Sequence, residues 1–241
     1  MKHIKTFLFL YSFFLTGFLY PKIKVYSFFT ESHKELVYDW FLPSLPSSCE
    51  LILEEFPQEC VSGEYMSSGW VKTMIRKVDL IIRGIEENWG GIFVHADIDI
   101  QFFKGFEEDI QKLMENKDII AQKGSAAGRL CAGFFACRGN KKTLALWKEI
   151  RRIIEKLGDK TNDEIQFNNL IRGHNKYKVK WGLLPKVYFC PGYDKSEIWK
   201  PGQKLDVPHD IILHHANWTV GISNKIKQLE YVKEKIQKLV E

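Results

Sequence analysis

Three absences narrow the class of protein before any motif is considered. The five cysteines include no Cys-x-x-Cys pair, which argues against a structural zinc site. No dense run of lysine and arginine accompanies the net charge of +5, so a nucleic-acid partner is not expected. There is also no low-complexity tract, and the hydrophobic content of 45% is that of an ordinary globular chain. A length of 241 residues suits one sizeable domain.

The first 21 residues differ from the rest of the chain. Basic residues at Lys2 and Lys5 precede an apolar stretch over 6–20. As a helix this stretch would be about 22 Å long, short of the ~30 Å hydrocarbon core of a bilayer. Residues 1–21 are therefore expected to be a signal-anchor or signal-like segment, with an interfacial or buried apolar element as the alternatives. The expected localisation is membrane-associated and single-pass, in a Golgi-like secretory compartment if the source is eukaryotic. A cytoplasmic location is the alternative.

Strand and helix patterns alternate along residues 22–241. Residues 23–29 are rich in β-branched and aromatic side chains, which indicates a buried first strand. Further strands are predicted at 51–55, 92–96, 118–122, 131–137 and 178–184. Helices are predicted at 33–41, from 67 or 68 to about 87, at 107–116, 141–157 and 162–172, and from about 223. This alternation predicts a single α/β domain with a mostly parallel sheet flanked by helices.

Two carboxylates, Asp97 and Asp99, follow the apolar strand at 92–96. Ligands of open α/β sheets bind beyond the carboxyl ends of the strands, and residues i and i+2 of a strand project to the same side. Two carboxylates this close repel each other, and a divalent cation would relieve the repulsion. Oxygen ligands suit Mn²⁺ or Mg²⁺, which commonly join protein carboxylates to substrate phosphates. An exposed turn at the strand end is the alternative.

Phosphatases of the haloacid dehalogenase type also carry Asp-x-Asp at the end of a strand. Their first aspartate is a nucleophile near the start of the domain, and Thr or Val usually stands two residues after the second aspartate. Here Gln101 occupies that position, and Asp97 lies far from the start of the chain. The phosphatase is therefore the weaker of two enzyme hypotheses.

The order of the motifs resembles the nucleotide-diphospho-sugar transferases with a GT-A fold. Within that family it is most similar to the Asp-x-Asp group that includes plant cell-wall xylosyl- and arabinosyltransferase relatives. The segments that carry the resemblance, over about residues 23–235, are SSGWVKTMIRKVDLI, GGIFVHADIDIQFF, CAGFFACRGNKKTLALWKEI, NDEIQFNNLI, LLPKVYFCPG and HHANWTVGISNK. The resemblance implies a GT-A-like (Rossmann-like) sheet and a hexosyl- or pentosyltransferase. It also implies a UDP- or GDP-sugar donor, a Mn²⁺ or Mg²⁺ cofactor, and a glycan, protein or lipid acceptor.

The same resemblance implies roles for individual residues. The cation would be bound by Asp97, Asp99 and His215, the second of two adjacent histidines. Hydroxyl groups of the sugar or the acceptor would contact Asp163 and Gln166 as the catalytic pair. The donor would be contacted by Arg76, Lys77, Asp97, Ala132, Gly133, Asn217 and Lys225. Two positions depart from the family pattern, which commonly has Asn in place of Cys131 and Gln in place of Glu164.

The expected reaction is metal-dependent transfer of a sugar to an acceptor hydroxyl, with retention of the anomeric configuration. Positive charge around the site would stabilise the departing nucleoside diphosphate. The departures at Cys131 and Glu164 favour one alternative, a degenerate non-catalytic module that still binds nucleotide sugars. A membrane-attached interaction protein with an amphipathic carboxy-terminal helix is another. Cation-dependent binding of a nucleoside diphosphate, followed by turnover of a donor, distinguishes the enzyme from both.

Overall fold

The structure is a computed structural model that describes residues 22–60 and 67–240. The expectations for residues 1–21 lie outside these ranges. Within them, no helix has the length and apolar character needed to cross a membrane. The strands of the described residues, in chain order, are β1 (Lys24–Phe29), β2 (Glu50–Glu55), β3 (Ile92–Ala96), β4 (Ile100–Phe102), β5 (Ile119–Lys123), β6 (Leu130–Arg138), β7 (Trp181–Leu183), β8 (Tyr188–Phe189) and β9 (Leu213–His215).

The larger of two sheets has six strands in the order β2–β1–β3–β6–β5–β7. Strand β1 runs parallel to both β2 and β3, and β5 runs parallel to β7. Only β6 is reversed, since it pairs antiparallel with β3 on one side and with β5 on the other. The mostly parallel sheet predicted from the sequence is therefore confirmed.

The smaller sheet has the order β4–β9–β8 and was not predicted. Strand β4 pairs antiparallel with β9, which places Ile100 opposite His215 and Gln101 opposite His214. Strand β8 pairs with β9 in parallel. Each of these strands has only two or three residues, too few to show an alternating pattern. The small sheet matters for the site because it brings His215 of β9 close to the turn that follows β3.

The α-helices of the described residues are α1 (Leu42–Ser44), α2 (Trp70–Glu87), α3 (Glu107–Leu113), α4 (Lys141–Leu157), α5 (Asp163–Arg172) and α6 (Ile222–Val240). Helix α4 begins at a capping box, in which the side chain of Asn140 accepts hydrogen bonds from the backbone N–H groups of Lys142 and Thr143. Helix α5 begins similarly, because Asn162 accepts a hydrogen bond from the N–H of Ile165. Asp163 therefore stands at the first position of a capped helix.

Several predicted boundaries were wrong by a few residues. Helix α2 begins at Trp70 rather than at Ser67 or Ser68, because Gly69 adopts φ +86° before it. The segment predicted as one helix over 33–41 combines a 3₁₀ turn at Glu31–His33 with a π-helical stretch at Leu36–Phe41. The predicted helix at 107–116 ends at Leu113. Strand β7 begins only at Trp181, after positive-φ turns at Asn175 and Lys178.

Apolar side chains cover both faces of the larger sheet. On β6, Phe134 packs into one core and Phe135 into the other, as strand alternation requires. Phe135 stacks on Trp147 of α4 at 5.2 Å between ring centroids, and Trp147 stacks on Phe167 of α5 at 5.1 Å. Burying each ring contributes roughly 1.5–3 kcal/mol. This packing fixes α4 and α5 against the sheet and so fixes the position of Asp163.

Candidate metal and donor site

The two carboxylates lie in a turn directly after β3. Residues 97–99 are not a continuation of the strand, so strand alternation is not what brings the two side chains together. Instead, backbone hydrogen bonds hold both ends of the turn. The N–H of Asp97 donates to the carbonyl of Gly133 on β6 at 2.7 Å, and the N–H of Ala216 donates to the carbonyl of Asp99 at 2.9 Å. The turn is thereby fixed between the two sheets.

Asp97, Asp99 and His215 form a compact group of potential metal ligands. One atom from each of the three side chains lies within 4.8 Å of the other two. Asp99 Oδ1 is 3.2 Å from His215 Nε2, and both residues are buried. The side chain of Asp97 keeps 29% of its surface exposed. The group is therefore closed by protein on the Asp99 side and open to solvent on the Asp97 side, from which a ligand can approach.

Gln122 fixes the orientation of the His215 ring. Its amide nitrogen donates to the backbone carbonyls of Tyr188 and Phe189 at 3.0 and 2.9 Å, so its carbonyl oxygen must be the atom that faces His215. That oxygen lies 2.8 Å from His215 Nδ1 and can only accept a hydrogen bond. When the ring is neutral, its proton is therefore on Nδ1 and the lone pair of Nε2 is directed at Asp99.

This orientation allows a direct test of whether the residues fit a cation. Two acceptors, His215 Nε2 and Asp99 Oδ1, face each other at 3.2 Å, which is repulsive unless a proton or a cation is shared between them. Two carboxylates and one imidazole are also ligands that Mn²⁺ accepts. The hydrogen bond from Nδ1 to Gln122 is the second contact that metal-binding histidines usually make. The residues therefore fit a divalent cation.

Two lysines neutralise the carboxylates. Lys77 on α2 is buried, with its ammonium group 3.0 Å from Asp97 Oδ1 and 3.2 Å from Asp163 Oδ2. Burial alone would lower the pKa of Lys77, but Asp163 and Asp97 together hold it above its usual value. Lys225 on α6 forms an ion pair with Asp99 Oδ2. Burial would likewise raise the pKa of Asp99, but the ammonium group of Lys225 above all holds it well below its usual range.

Gly133 is required for these side chains to meet. A Cβ atom at this position would lie 2.3 Å from His215 Cε1 and 2.7 Å from Asp97 Oδ2, both far inside van der Waals contact. The family resemblance implied that Gly133 contacts the donor. In the structure the space above Gly133 is taken by the side chains of the metal-ligand group itself.

Three further polar side chains lie near this group, and burial raises the pKa of two of them. Asn217 Nδ2 lies 3.7 Å from Cys131 Sγ, and its buried Oδ1 has no hydrogen-bond partner in the described part of the chain. Burial raises the pKa of the Cys131 thiol. Glu164 accepts a hydrogen bond from the N–H of Ala132 at 3.3 Å, and burial followed by Asp163 raises the pKa of its carboxyl. Acceptors are thus available for hydroxyl groups.

A sequence model of the nucleotide-diphospho-sugar transferase family matches residues 38–229, most of the chain. The chain belongs to this family. No curated protein sequence matches the transferase significantly.

Several solved glycosyltransferase structures are similar to the transferase in fold. GlyE of Streptococcus pneumoniae TIGR4 aligns over 90% of this chain and 64% of its own, with TM-score 0.57 and 14% identity. A glycosyltransferase involved in glycosylation of the major capsid of PBCV-1 aligns over 89% of this chain and 100% of its own, with TM-score 0.52 and 12% identity. The bifunctional glycosyltransferase WbbM aligns over 91% and 52%, with TM-score 0.52 and 10% identity. The chain thus spans less than two thirds of GlyE and about half of WbbM. Identities this low show the GT-A fold alone.

Most residues that the sequence singled out are together in the transferase, but two are not. Arg76 pairs with Glu59 at 3.0 Å and, among the described residues, makes no ion pair with Asp97 or Asp99. Arg76 directly precedes Lys77 on α2, and successive helical residues point about 100° apart. The two side chains therefore point in different directions, and only that of Lys77 contacts the carboxylates of the site. Gln166 is buried and donates a hydrogen bond to the hydroxyl of Thr161 at 2.8 Å. The structure does not bring these two to the metal-ligand group.

His214 and His215 point to opposite faces of β9. The ring of His214 stacks on Phe189, and burial above all lowers its pKa to about 3, so it is neutral. The preference for His215 over its neighbour therefore agrees with the geometry.

Sequence reasoning missed two side chains of the site. His95 Nε2 lies 3.1 Å from Asp97 Oδ1, and burial lowers the pKa of its ring. Its position on β3, two residues before Asp97, was a signal that could have been used. Gln122 carries no comparable signal, because nothing in the pattern of β5 relates it to a histidine 93 residues later.

Proposed function

We propose that the protein transfers a sugar from a nucleoside-diphosphate sugar to an acceptor hydroxyl, and that the reaction depends on a divalent cation bound by Asp97, Asp99 and His215. One observation above all supports this proposal. His215 Nε2 lies 3.2 Å from an oxygen of Asp99, while Gln122 occupies Nδ1 of the same ring and leaves Nε2 for a cation. A bound Mn²⁺ or Mg²⁺ would offset the negative charge that grows on the departing diphosphate.

The chain's own residues have three tasks in this reaction. Lys225 has 25% of its side chain exposed and can reach a phosphate oxygen at the mouth of the site. Lys77 is 5% exposed and stays between Asp97 and Asp163, so its task is to hold both carboxylates in place. Asp163 and the free Oδ1 of Asn217 accept hydrogen bonds from sugar or acceptor hydroxyls, which orients the reacting groups.

Finer features of the proposal follow from the family resemblance. The donor is a UDP- or GDP-sugar, the anomeric configuration is retained, and the acceptor is a glycan, a protein or a lipid. The apolar stretch over 6–20, rather than the resemblance, supports a further proposal: residues 1–21 attach the protein to a membrane. Fractionation of cells that express the full chain tests the attachment: the transferase should stay with membranes after alkaline carbonate extraction, and release into the supernatant would contradict it.

A degenerate nucleotide-sugar-binding module is the second candidate. It is favoured by Cys131 and Glu164, since a thiol and a carboxyl whose pKa is raised stand where the family commonly has amides. Such a module would bind a nucleoside diphosphate with the cation but would not turn over a donor.

A donor screen tests the proposed function. The purified full chain is incubated with Mn²⁺ and a panel of UDP- and GDP-sugars, and hydrolysis or transfer is followed by mass spectrometry. Asp99→Asn should lower the rate about a hundredfold or more, because a metal site contributes several kcal/mol to catalysis. Asp109→Asn is the matched control, since Asp109 is exposed on α3. Unchanged turnover by Asp99→Asn would refute the metal assignment, and binding without turnover of any donor would favour the module.

A further inference from the structure

The ammonium group of Lys225 forms an ion pair with Asp99, one of the carboxylates that a cation would need as a ligand. Asp99 Oδ2 forms an ion pair with Lys225, while Asp99 Oδ1 faces His215. Both oxygens of this buried carboxylate are therefore in contact with another group. A divalent cation at Asp99 would meet the positive charge of Lys225 across a single carboxylate, and charges this close repel strongly where water is scarce.

Lys225 and Lys77 differ in how firmly they are held. Lys77 is 5% exposed and lies between two carboxylates, Asp97 and Asp163. Lys225 is 25% exposed and, among the described residues, forms an ion pair with Asp99 alone. Lys77 cannot leave without leaving Asp97 and Asp163 to face each other without a cation between them. Lys225 can turn outward by side-chain rotation, so it is the mobile one of the two cations.

The place of Lys225 on its helix weakens its hold further. Helix α6 begins at Ile222, and the N–H of Lys225 donates to the carbonyl of Gly221 at 3.1 Å, which puts Lys225 in the first turn. The amino-terminal end of a helix carries partial positive charge, so a lysine there is unfavourable unless an anion lies nearby. Asp99 is that anion in the structure. A diphosphate at the mouth of the site would be a stronger one.

We propose that Lys225 is an internal competitor of the divalent cation for Asp99, and that a nucleoside diphosphate ends the competition by taking over the ammonium group. This inference rests on the proposed function and adds to it how the binding of the cation depends on the diphosphate. Without a diphosphate, Lys225 weakens cation binding at Asp99. With a diphosphate, Lys225 binds phosphate oxygens and no longer opposes the cation. Cation and diphosphate then bind with positive coupling, and each raises the affinity of the other by the same factor.

Mn²⁺ titrations followed by electron paramagnetic resonance of the free ion test this proposal on the full chain. Without nucleotide, Lys225→Met should bind Mn²⁺ about fivefold more tightly than wild type, because Asp99 loses its competitor. With saturating UDP or GDP, the same variant should bind Mn²⁺ about fivefold less tightly than wild type, because it lacks the contact to the diphosphate. The sign of the effect thus reverses, which a merely structural role would not produce.

Two further variants serve as controls. Lys227→Met removes an exposed lysine of the same helix and should leave both affinities unchanged. Lys225→Gln repeats the test with a polar side chain in case the methionine variant does not fold, and thermal melting of each variant checks that the fold is retained.

The outcomes separate this proposal from the proposed function. If wild type binds Mn²⁺ and turns over a donor, but Lys225→Met and Lys225→Gln bind Mn²⁺ no better than wild type without nucleotide, the competition is refuted and the enzyme assignment stands. If wild type binds no Mn²⁺ with or without nucleotide, both the metal site and the competition are refuted.

Discussion

At the scale of single residues, the candidate site depends on contacts that set the direction of side chains. Gln122 is fully buried, donates to two carbonyls of β8 and accepts from His215. Its amide thereby joins the larger sheet to the smaller one and decides which ring nitrogen of His215 is free. Gly133 leaves the room in which Asp97 and His215 meet. Neither residue needs to contact a substrate, yet both decide whether a cation can bind.

Replacing Gln122 should weaken the metal site without abolishing the fold. Gln122→Met removes the acceptor on Nδ1 of His215, so the ring loses its fixed tautomer and orientation. Mn²⁺ affinity should fall about tenfold, as for other partners of metal-binding histidines. Isothermal titration calorimetry measures the affinity. Gln101→Met is the control. Gln101 on β4 is also buried, but it pairs with His214, whose side chain lies on the face of β9 opposite to that of His215. Equal affinities for the two variants would contradict the role of Gln122.

Adding one methyl group at Gly133 should have a larger effect. In Gly133→Ala the new Cβ would lie 2.3 Å from His215 Cε1, so the ring or the strand must move. We expect Mn²⁺ affinity to drop more than about tenfold and overpacking to cost about 1–3 kcal/mol of unfolding free energy. Gly182→Ala is the control, since a Cβ there meets its nearest neighbour at an ordinary 3.5 Å. Wild-type metal affinity in Gly133→Ala would show that the ligands do not meet above this residue.

At the scale of elements, β1 and the end of α2 are joined by a hydrogen-bond network that local patterns do not reveal. The hydroxyl of Tyr26 donates to Glu87 Oε2 at 2.6 Å and accepts from Asn88 Nδ2 at 2.9 Å. The network ties down the turn between α2 and β3, the strand that leads into the metal-ligand group. Burial and then Glu87 raise the pKa of Tyr26 to about 12.

This pKa predicts how stability depends on alkaline pH. The folded pKa of Tyr26 lies above the unfolded value of about 10, so its contribution is complete below pH ~10 and is lost as pH rises toward ~12. Tyr26→Phe should cost about 1 kcal/mol at neutral pH. Its unfolding free energy, measured with urea, should then fall less steeply than that of wild type between pH ~10 and ~12. Tyr38→Phe is the control, because Tyr38 is 54% exposed. Equal slopes for Tyr26→Phe and wild type would contradict the shifted pKa.

At the scale of the whole molecule, local signals predicted the larger sheet and its helices but not the small sheet. Strand β3 and helix α4 have the predicted bounds, because an apolar run and a capping residue are visible in a short stretch of sequence. Strand β9 is three residues long and is stabilised by β4, more than a hundred residues earlier in the chain. Strand pairing between segments so far apart in the chain produces no periodic hydrophobic pattern in the local sequence.

The residues of the candidate site also divide into those visible in a short stretch of sequence and those that depend on distant parts of the chain. Asp97 and Asp99 stand out because two acids follow an apolar strand, and Lys77, Asp163 and Lys225 could be added only through the family resemblance. Gln122 could not be found either way, because its role depends on how two sheets meet. Arg76 shows the opposite limit, since a basic residue beside Lys77 fits the pattern, but its guanidinium pairs with Glu59 in the structure.

Anomalous diffraction from crystals of the protein grown with Mn²⁺ and UDP or GDP tests the central claim most directly. We expect one strong manganese peak within bonding distance of an oxygen of Asp97, an oxygen of Asp99 and Nε2 of His215, with Gln122 still on Nδ1. A nucleotide-bound crystal with no manganese peak there, or with the ion bound elsewhere, would contradict the proposed site.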